Sequence, residues 1–149
     1  HNLSTQITYT SYGLALVWLM VFFASILAHV YFVGRKAKQT GKPAWSRLAR
    51  LLLYALSPPL LIGAFLTLFF MFHNQMVIIP SLWMITYGLG VWSAGLFSIK
   101  APRWLGASFM ATGIISLFFF RDQSLIMLAI SFGGYHILYG LRLFFKYGG

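Results

Sequence analysis

The chain contains no cysteine, no glutamate and a single aspartate, Asp122, among 149 residues. Without cysteine there are no disulfides, no thiolate-bound zinc, no iron–sulfur clusters and no thiol nucleophile. The scarcity of acid removes paired carboxylates, carboxylate-bound metals, Ser-His-Asp triads and the intramembrane Asp or Glu on which many proton-coupled carriers depend. Charge as a whole is scarce: 8% of residues are charged against 60% hydrophobic. That is too little polar surface to cover a water-soluble globule of this size, so the solvent for most of the chain is a lipid bilayer.

Long apolar runs fill the chain. They fall at about 10–33, 48–72, 76–99, 102–120 and 124–145, each near the ~20 residues that cross ~30 Å of hydrocarbon as a helix. The runs are continuously apolar rather than alternating, and in lipid only helices or closed barrels satisfy the backbone. The expected fold is all-α: one membrane domain over 1–149, a polytopic helical bundle of five crossings. The first residue is His1 rather than Met, and a helix running outward ahead of it is expected as a sixth.

The eleven Lys and Arg residues sort by connection. Arg35, Lys36, Lys38, Lys42, Arg47 and Arg50 crowd the loop 34–47 and the start of the second run. Lys100 and Arg103 mark the next connection on that side, and Arg142 and Lys146 the C-terminal end. The alternate connections carry only Arg121. Ten against one is a strong positive-inside asymmetry, which places residue 1 outside and the C-terminus in the cytoplasm. The same asymmetry explains the net charge of +10 by topology and attraction to anionic lipid, so nucleic acid is not expected as a partner.

Inside the runs, Pro58 and Pro59 remove two N–H donors from the second helix and predict a kink. Small residues gather in the later helices. Gly88, Gly90, Ala94 and Gly95 in the third, Gly106, Ala107, Ala111 and Gly113 in the fourth, and Gly133, Gly134 and Gly140 in the fifth are expected to let helices approach closely, with Gly90-xxx-Ala94 and Ala107-xxx-Ala111 in small-xxx-small spacing. Trp45, Trp104, Tyr12 and Trp83 fall near the ends of runs, where amphipathic rings prefer to sit.

The stretch IPSLWMITYGLGVWSAGLFSIKAPRWLGASFMATG (79–113), with SFGGYHILYG (131–140) and the terminal KYGG (146–149), resembles a group of small bacterial multi-pass integral membrane proteins of no known activity. In that group a Pro-x-Leu-Trp stretch leads into Tyr-Gly and Gly-x-Phe-Ser, and the chain ends in Gly-Gly-x-His and Tyr-Gly-Gly. RKAKQTGKP (35–43) and SPPLLIGAFLT (57–67) are similar to it too. The resemblance covers most of 34–149. It implies a bacterial cytoplasmic membrane, a further segment upstream, and genes that often lie beside winged-helix regulators.

Two histidines stand out. His136 lies six residues before Arg142 and His29 six before Arg35, each ~9 Å from a cytoplasmic charge at 1.5 Å per residue. Their helices run in the same direction, so the imidazoles should share one depth, as the axial ligands of haem b do; one alone suffices for a chlorophyll-type pigment. The competing expectation is a neutral histidine bonded to a tyrosine or a carbonyl, with Tyr135 and Tyr139 as nearby partners. With few catalytic groups, the expected function is non-enzymatic: an accessory or structural subunit of a membrane complex, or a membrane partner of a regulator, contacting lipid and other subunits or a second copy. A tetrapyrrole-binding subunit and a small solute permease are the alternatives.

Overall fold

The first apolar run begins in a unit, His1–Ser46, that is separate from the rest of the chain, Arg47–Gly149. The computed structural model describes residues 16, 20, 23, 24, 26–28, 30–35, 37–39, 41, 46–97 and 101–147, with Tyr147 by its backbone alone. In the first unit every described residue from 16 to 39 is helical, and Gly41 takes a left-handed φ of 64° that lets the chain turn after it. Large side chains such as Met20, Phe23 and Leu27 are exposed there.

The second unit opens with α1, Arg47–Phe72, 26 residues of helix and ~39 Å long. Pro58 and Pro59 lie inside it. They deprive the carbonyls of Tyr54 and Ala55 of their helical donors, yet the helix runs on through them. It ends where Asn74 adopts a φ of 56°, a conformation that asparagine tolerates better than most residues. The amide of Gln75 then bonds the Phe70 carbonyl at 2.8 Å and that of Asn74 the Met71 carbonyl at 3.2 Å, which is the Schellman closure. A 3₁₀ turn, Met76–Ile78, leads into α2, Ile79–Ala94, with Pro80 in the first turn, where a missing N–H costs nothing.

α2 stops at Ala94, before the end of the apolar run at 99. The next amides tighten: Leu96 bonds Ser93 and Phe97 bonds Ala94, each at 3.1 Å. Arg103, from the following helix, donates its Nε–H to the Gly95 carbonyl at 2.9 Å, closing the end with a cation that also suits the helix dipole. α3 is Ala101–Phe119. The last rod is built of α4, Ser124–Ile130, a five-residue π segment, Ser131–Tyr135, and α5, His136–Tyr147.

Among the described residues there are no strands. Among the described residues three helices are long and apolar enough to cross a membrane: Arg47–Phe72, Met76–Ala94 and Ser124–Lys146. α3 is not one of them; Pro102, Arg103, Gly106, Ser108, Thr112, Gly113 and Ser116 thin its apolar content.

α2 is the centre of the second unit and packs against α1, α3 and the last rod. Against α3 it runs antiparallel, with Ser81 beside Ser116, Ile85 beside Gly113, Gly88 beside Gly106, and Gly95 beside Arg103. A Cβ built on Gly106 would stand 2.5 Å from both the Gly88 carbonyl and the Trp92 amide nitrogen, and one on Gly88 would stand 2.7 Å from the Gly106 carbonyl. The two backbones touch there. α1 packs on a second face of α2, also antiparallel, through Gly63 against Thr86 and Leu56 against Gly90.

The small residues are placed unevenly along these contacts. Gly88, Gly90 and Ala94 are buried. Ala111 is exposed, and the seam on α3 follows Gly106, Phe109, Gly113 and Ser116 instead of Ala107 and Ala111. A Cβ at Gly133 or Gly134 would meet nothing within 4 Å, so within the described residues neither is a close-approach point. Both sit in the π segment, where the absence of a side chain eases an over-wide turn.

These directions bring the start of α1, the end of α2, the start of α3 and the end of α5 together. Arg47, Arg50, Arg103, Arg142 and Lys146 therefore collect at one end of this unit. Arg121 and Asp122, with His73, Asn74, Gln75 and Gln123, lie at the other.

Candidate functional site

The π segment sets the site. In an unbroken α-helix the His136 amide would bond the Phe132 carbonyl; here it bonds Gly133. The Phe132 carbonyl instead receives the His136 ring, with Nδ1 at 2.8 Å. The side chain thus bonds a carbonyl of its own widened turn.

That contact also decides the tautomer. A carbonyl only accepts, so Nδ1 carries the proton and donates. Nε2 of the neutral ring is then an acceptor, and the Tyr87 hydroxyl, 2.8 Å away on α2, donates to it. One residue earlier in the rod, Tyr135 reaches α3 and shares a 2.6 Å bond with Thr112. The last rod is tied to both neighbours within one turn.

Rings fill the space between these bonds. Phe109 of α3 is fully buried at the centre, its centroid 4.8 Å from Phe132, 5.0 Å from Tyr87, 5.3 Å from Tyr135 and 5.5 Å from His136. The Phe109 pairs are edge-on, the arrangement that ring quadrupoles favour. Phe132 stacks beside His136 at 5.9 Å. The imidazole is half-buried, and both its nitrogens are engaged.

Chemically, the arrangement holds the imidazole in one orientation inside an apolar, aromatic cluster. An Nδ1–H bonded to a main-chain carbonyl is how many ligating histidines are oriented. A metal approaching Nε2 must, however, displace the Tyr87 hydroxyl, and the flanking rings occupy the sides. Among the described residues no three His, Asp, Glu or Cys side chains come together as a metal site. His29, the proposed second axial ligand, lies outside the described residues, as do Lys36 and Lys42. Arg35 and Lys38 are exposed in the first unit and Arg47 and Arg50 in the second. His73 is exposed and stacks on Phe69 at 4.3 Å.

The histidine's partners differ from the two nearby tyrosines. Tyr135 adjoins His136 on the rod, and the ~100° between successive helical residues aims it at Thr112. The tyrosine that bonds His136 is Tyr87, 49 residues away. Its signal in the sequence was slight: ITYGLG (85–90) looks like ILYGLR (137–142), two Tyr-Gly stretches in helices of the same direction. Phe109, Phe132 and Ser131 carried none, being apolar or small residues in apolar runs.

The fold and site define a class: among the described residues the protein is helical throughout its regular structure, with three helices long and apolar enough to cross a membrane and a half-buried histidine–tyrosine seam joining the last rod to α2 and α3. No family model, no curated protein and no solved structure matches the chain.

Proposed function

We propose that this chain is a non-enzymatic integral membrane protein, an accessory or structural subunit that packs against other membrane proteins or a second copy of itself. The observation that carries this reading is where the bundle's polar groups go. Ser81 with Ser116, Ser124 with the Val77 carbonyl, Thr112 with Tyr135, and Tyr87 with His136 all join one helix to another. Such groups serve assembly, and the outward faces carry large apolar side chains, among them Tyr54, Phe65, Phe118 and Phe145. Extraction of the full chain from native membranes, with cross-linking before detergent, should give a defined complex heavier than the 16.9 kDa chain. A lone monomer under every extraction would end the subunit reading.

In this proposal the chain crosses the bacterial cytoplasmic membrane five times, its N-terminus outside and its C-terminus in the cytoplasm. The gathering of Arg47, Arg50, Arg103, Arg142 and Lys146 at one end supports that orientation, and the exposed indole of Trp104, at 70%, suits the interface on that side. Because the chain lacks cysteine, single cysteines report cleanly. In intact cells Gln123→Cys should react with an impermeant maleimide and Gln39→Cys should not; the reverse pattern inverts the topology.

A tetrapyrrole-binding subunit is the second reading. It is favoured by the carbonyl anchor on Nδ1 of His136 and opposed by the Tyr87 hydroxyl on Nε2.

A further inference from the structure

Buried hydroxyls in a membrane bundle need partners, because neither lipid nor apolar side chains supply any. Ser81, Ser116 and Ser131 are 1%, 0% and 1% exposed. Ser81 donates to Ser116 at 2.9 Å. Ser116 accepts that bond and keeps a proton of its own to place, since a hydroxyl is one donor and two acceptor sites. The Ser131 hydroxyl has no hydrogen-bond partner.

The helix register brings the three to one place. α2 and the last rod run parallel, with Val77 facing Ser124 at an offset of 47 residues and Tyr87 facing His136 at 49. Ser131 therefore lies level with residues 82–84, within a turn of Ser81. Val77 in the 3₁₀ turn and Ser81, Met84 and Tyr87 on α2 follow the i, i+4, i+7, i+10 spacing of one stripe. On the rod, Ser124 and Ser131 stand two turns apart on the side that meets it. Ser131 also begins the π segment, and its amide proton is divided between the carbonyls of Met127 and Leu128. A carbonyl oxygen offers two lone pairs to donors.

We propose that Ser81, Ser116 and Ser131 hold one internal water molecule where α2, α3 and the last rod meet. The water accepts a hydrogen bond from the Ser116 hydroxyl, bonds the Ser131 hydroxyl, and donates to a carbonyl at the mouth of the wide turn. That supplies the roughly three bonds that buried waters usually make, and water is among the groups that insert into a helix ladder where it is locally distorted. The π segment is then a hydrated joint in the last rod.

The test is an unfolding cycle on the full chain in detergent. Ser131→Ala and Ser116→Ala should each lower the midpoint. The double variant should fall little below the worse single one, because both changes release the same water. A midpoint that rises or holds in Ser131→Ala would show a plain orphan hydroxyl, whose removal relieves an unmet group, and would overturn the proposal. If a variant does not fold, the wild-type protein decides: magnetisation transfer from water to the Ser131 and Phe132 amides is expected, and silent amides at both positions overturn it.

Discussion

Gly106→Ala should destabilise the protein more than any other single methyl addition among the described glycines. The new Cβ would stand 2.5 Å from the Gly88 carbonyl oxygen and 2.5 Å from the Trp92 nitrogen. Both are backbone atoms of α2, so no side chain can rotate out of the way. α3 must move off α2, which loosens the Phe109 packing and stretches the Arg103 bond to Gly95 on the same seam. Overpacking costs ~1–3 kcal/mol, occasionally more, and a clash with two backbone atoms belongs at or above the top of that range. Denaturation of the purified protein by titrating a harsh detergent into a mild one measures it. Gly140→Ala is the control. A Cβ there meets nothing within 4 Å, and exchanging a helical glycine for alanine gains ~0.5–1 kcal/mol. Equal costs at the two positions would mean that the α2–α3 backbone contact is not made.

His136→Phe should cost more than any other ring-for-ring exchange in the aromatic cluster. The phenyl ring fills the same space but leaves the Phe132 carbonyl and the Tyr87 hydroxyl without partners in an apolar setting. Each unmet group costs ~1–3 kcal/mol, while interhelical hydrogen bonds in membranes average only ~0.6 kcal/mol and reach ~1.7 kcal/mol; a total of ~2–3 kcal/mol follows. Tyr87→Phe leaves only the Nε2 lone pair unmet, so it should cost ~1 kcal/mol. The two should couple in a double-mutant cycle. If His136→Phe unfolds like the wild type, the seam is not structural. The same preparations settle the pigment reading by absorbance. A Soret band in the wild-type protein that disappears in His136→Phe would establish tetrapyrrole binding, and a colourless, folded wild type would remove it.

The asymmetry between these two predictions shows what kind of information lay in the linear chain. Lipid as solvent, helix as the secondary structure and the gathering of cations at one end all follow from which residues are present and how far apart they fall. The energy of placing a charge or an unpaired amide in hydrocarbon is large and acts residue by residue. Pro80 at the start of α2 and Asn74 in the turn before it are local in the same sense, since φ preferences belong to single residues. Gly88 is buried at the α2–α3 contact, a place that small residues commonly take in membrane helices.

What the chain alone could not decide is which small residue meets which, and where a single polar group points. Gly106 rather than Ala107 carries the α3 seam. Gly133 and Gly134, alike in sequence, face open space and serve the backbone instead. A rotation of ~100° per residue separates these outcomes, and in uniformly apolar helices no polar stripe sets the rotation in advance. The π segment sharpens the point: one widened turn moves Tyr135 onto Thr112 and His136 onto Tyr87. Solvent and secondary structure answer to one-body energies written along the chain, whereas the histidine's tautomer and its partner are properties of three helices in contact.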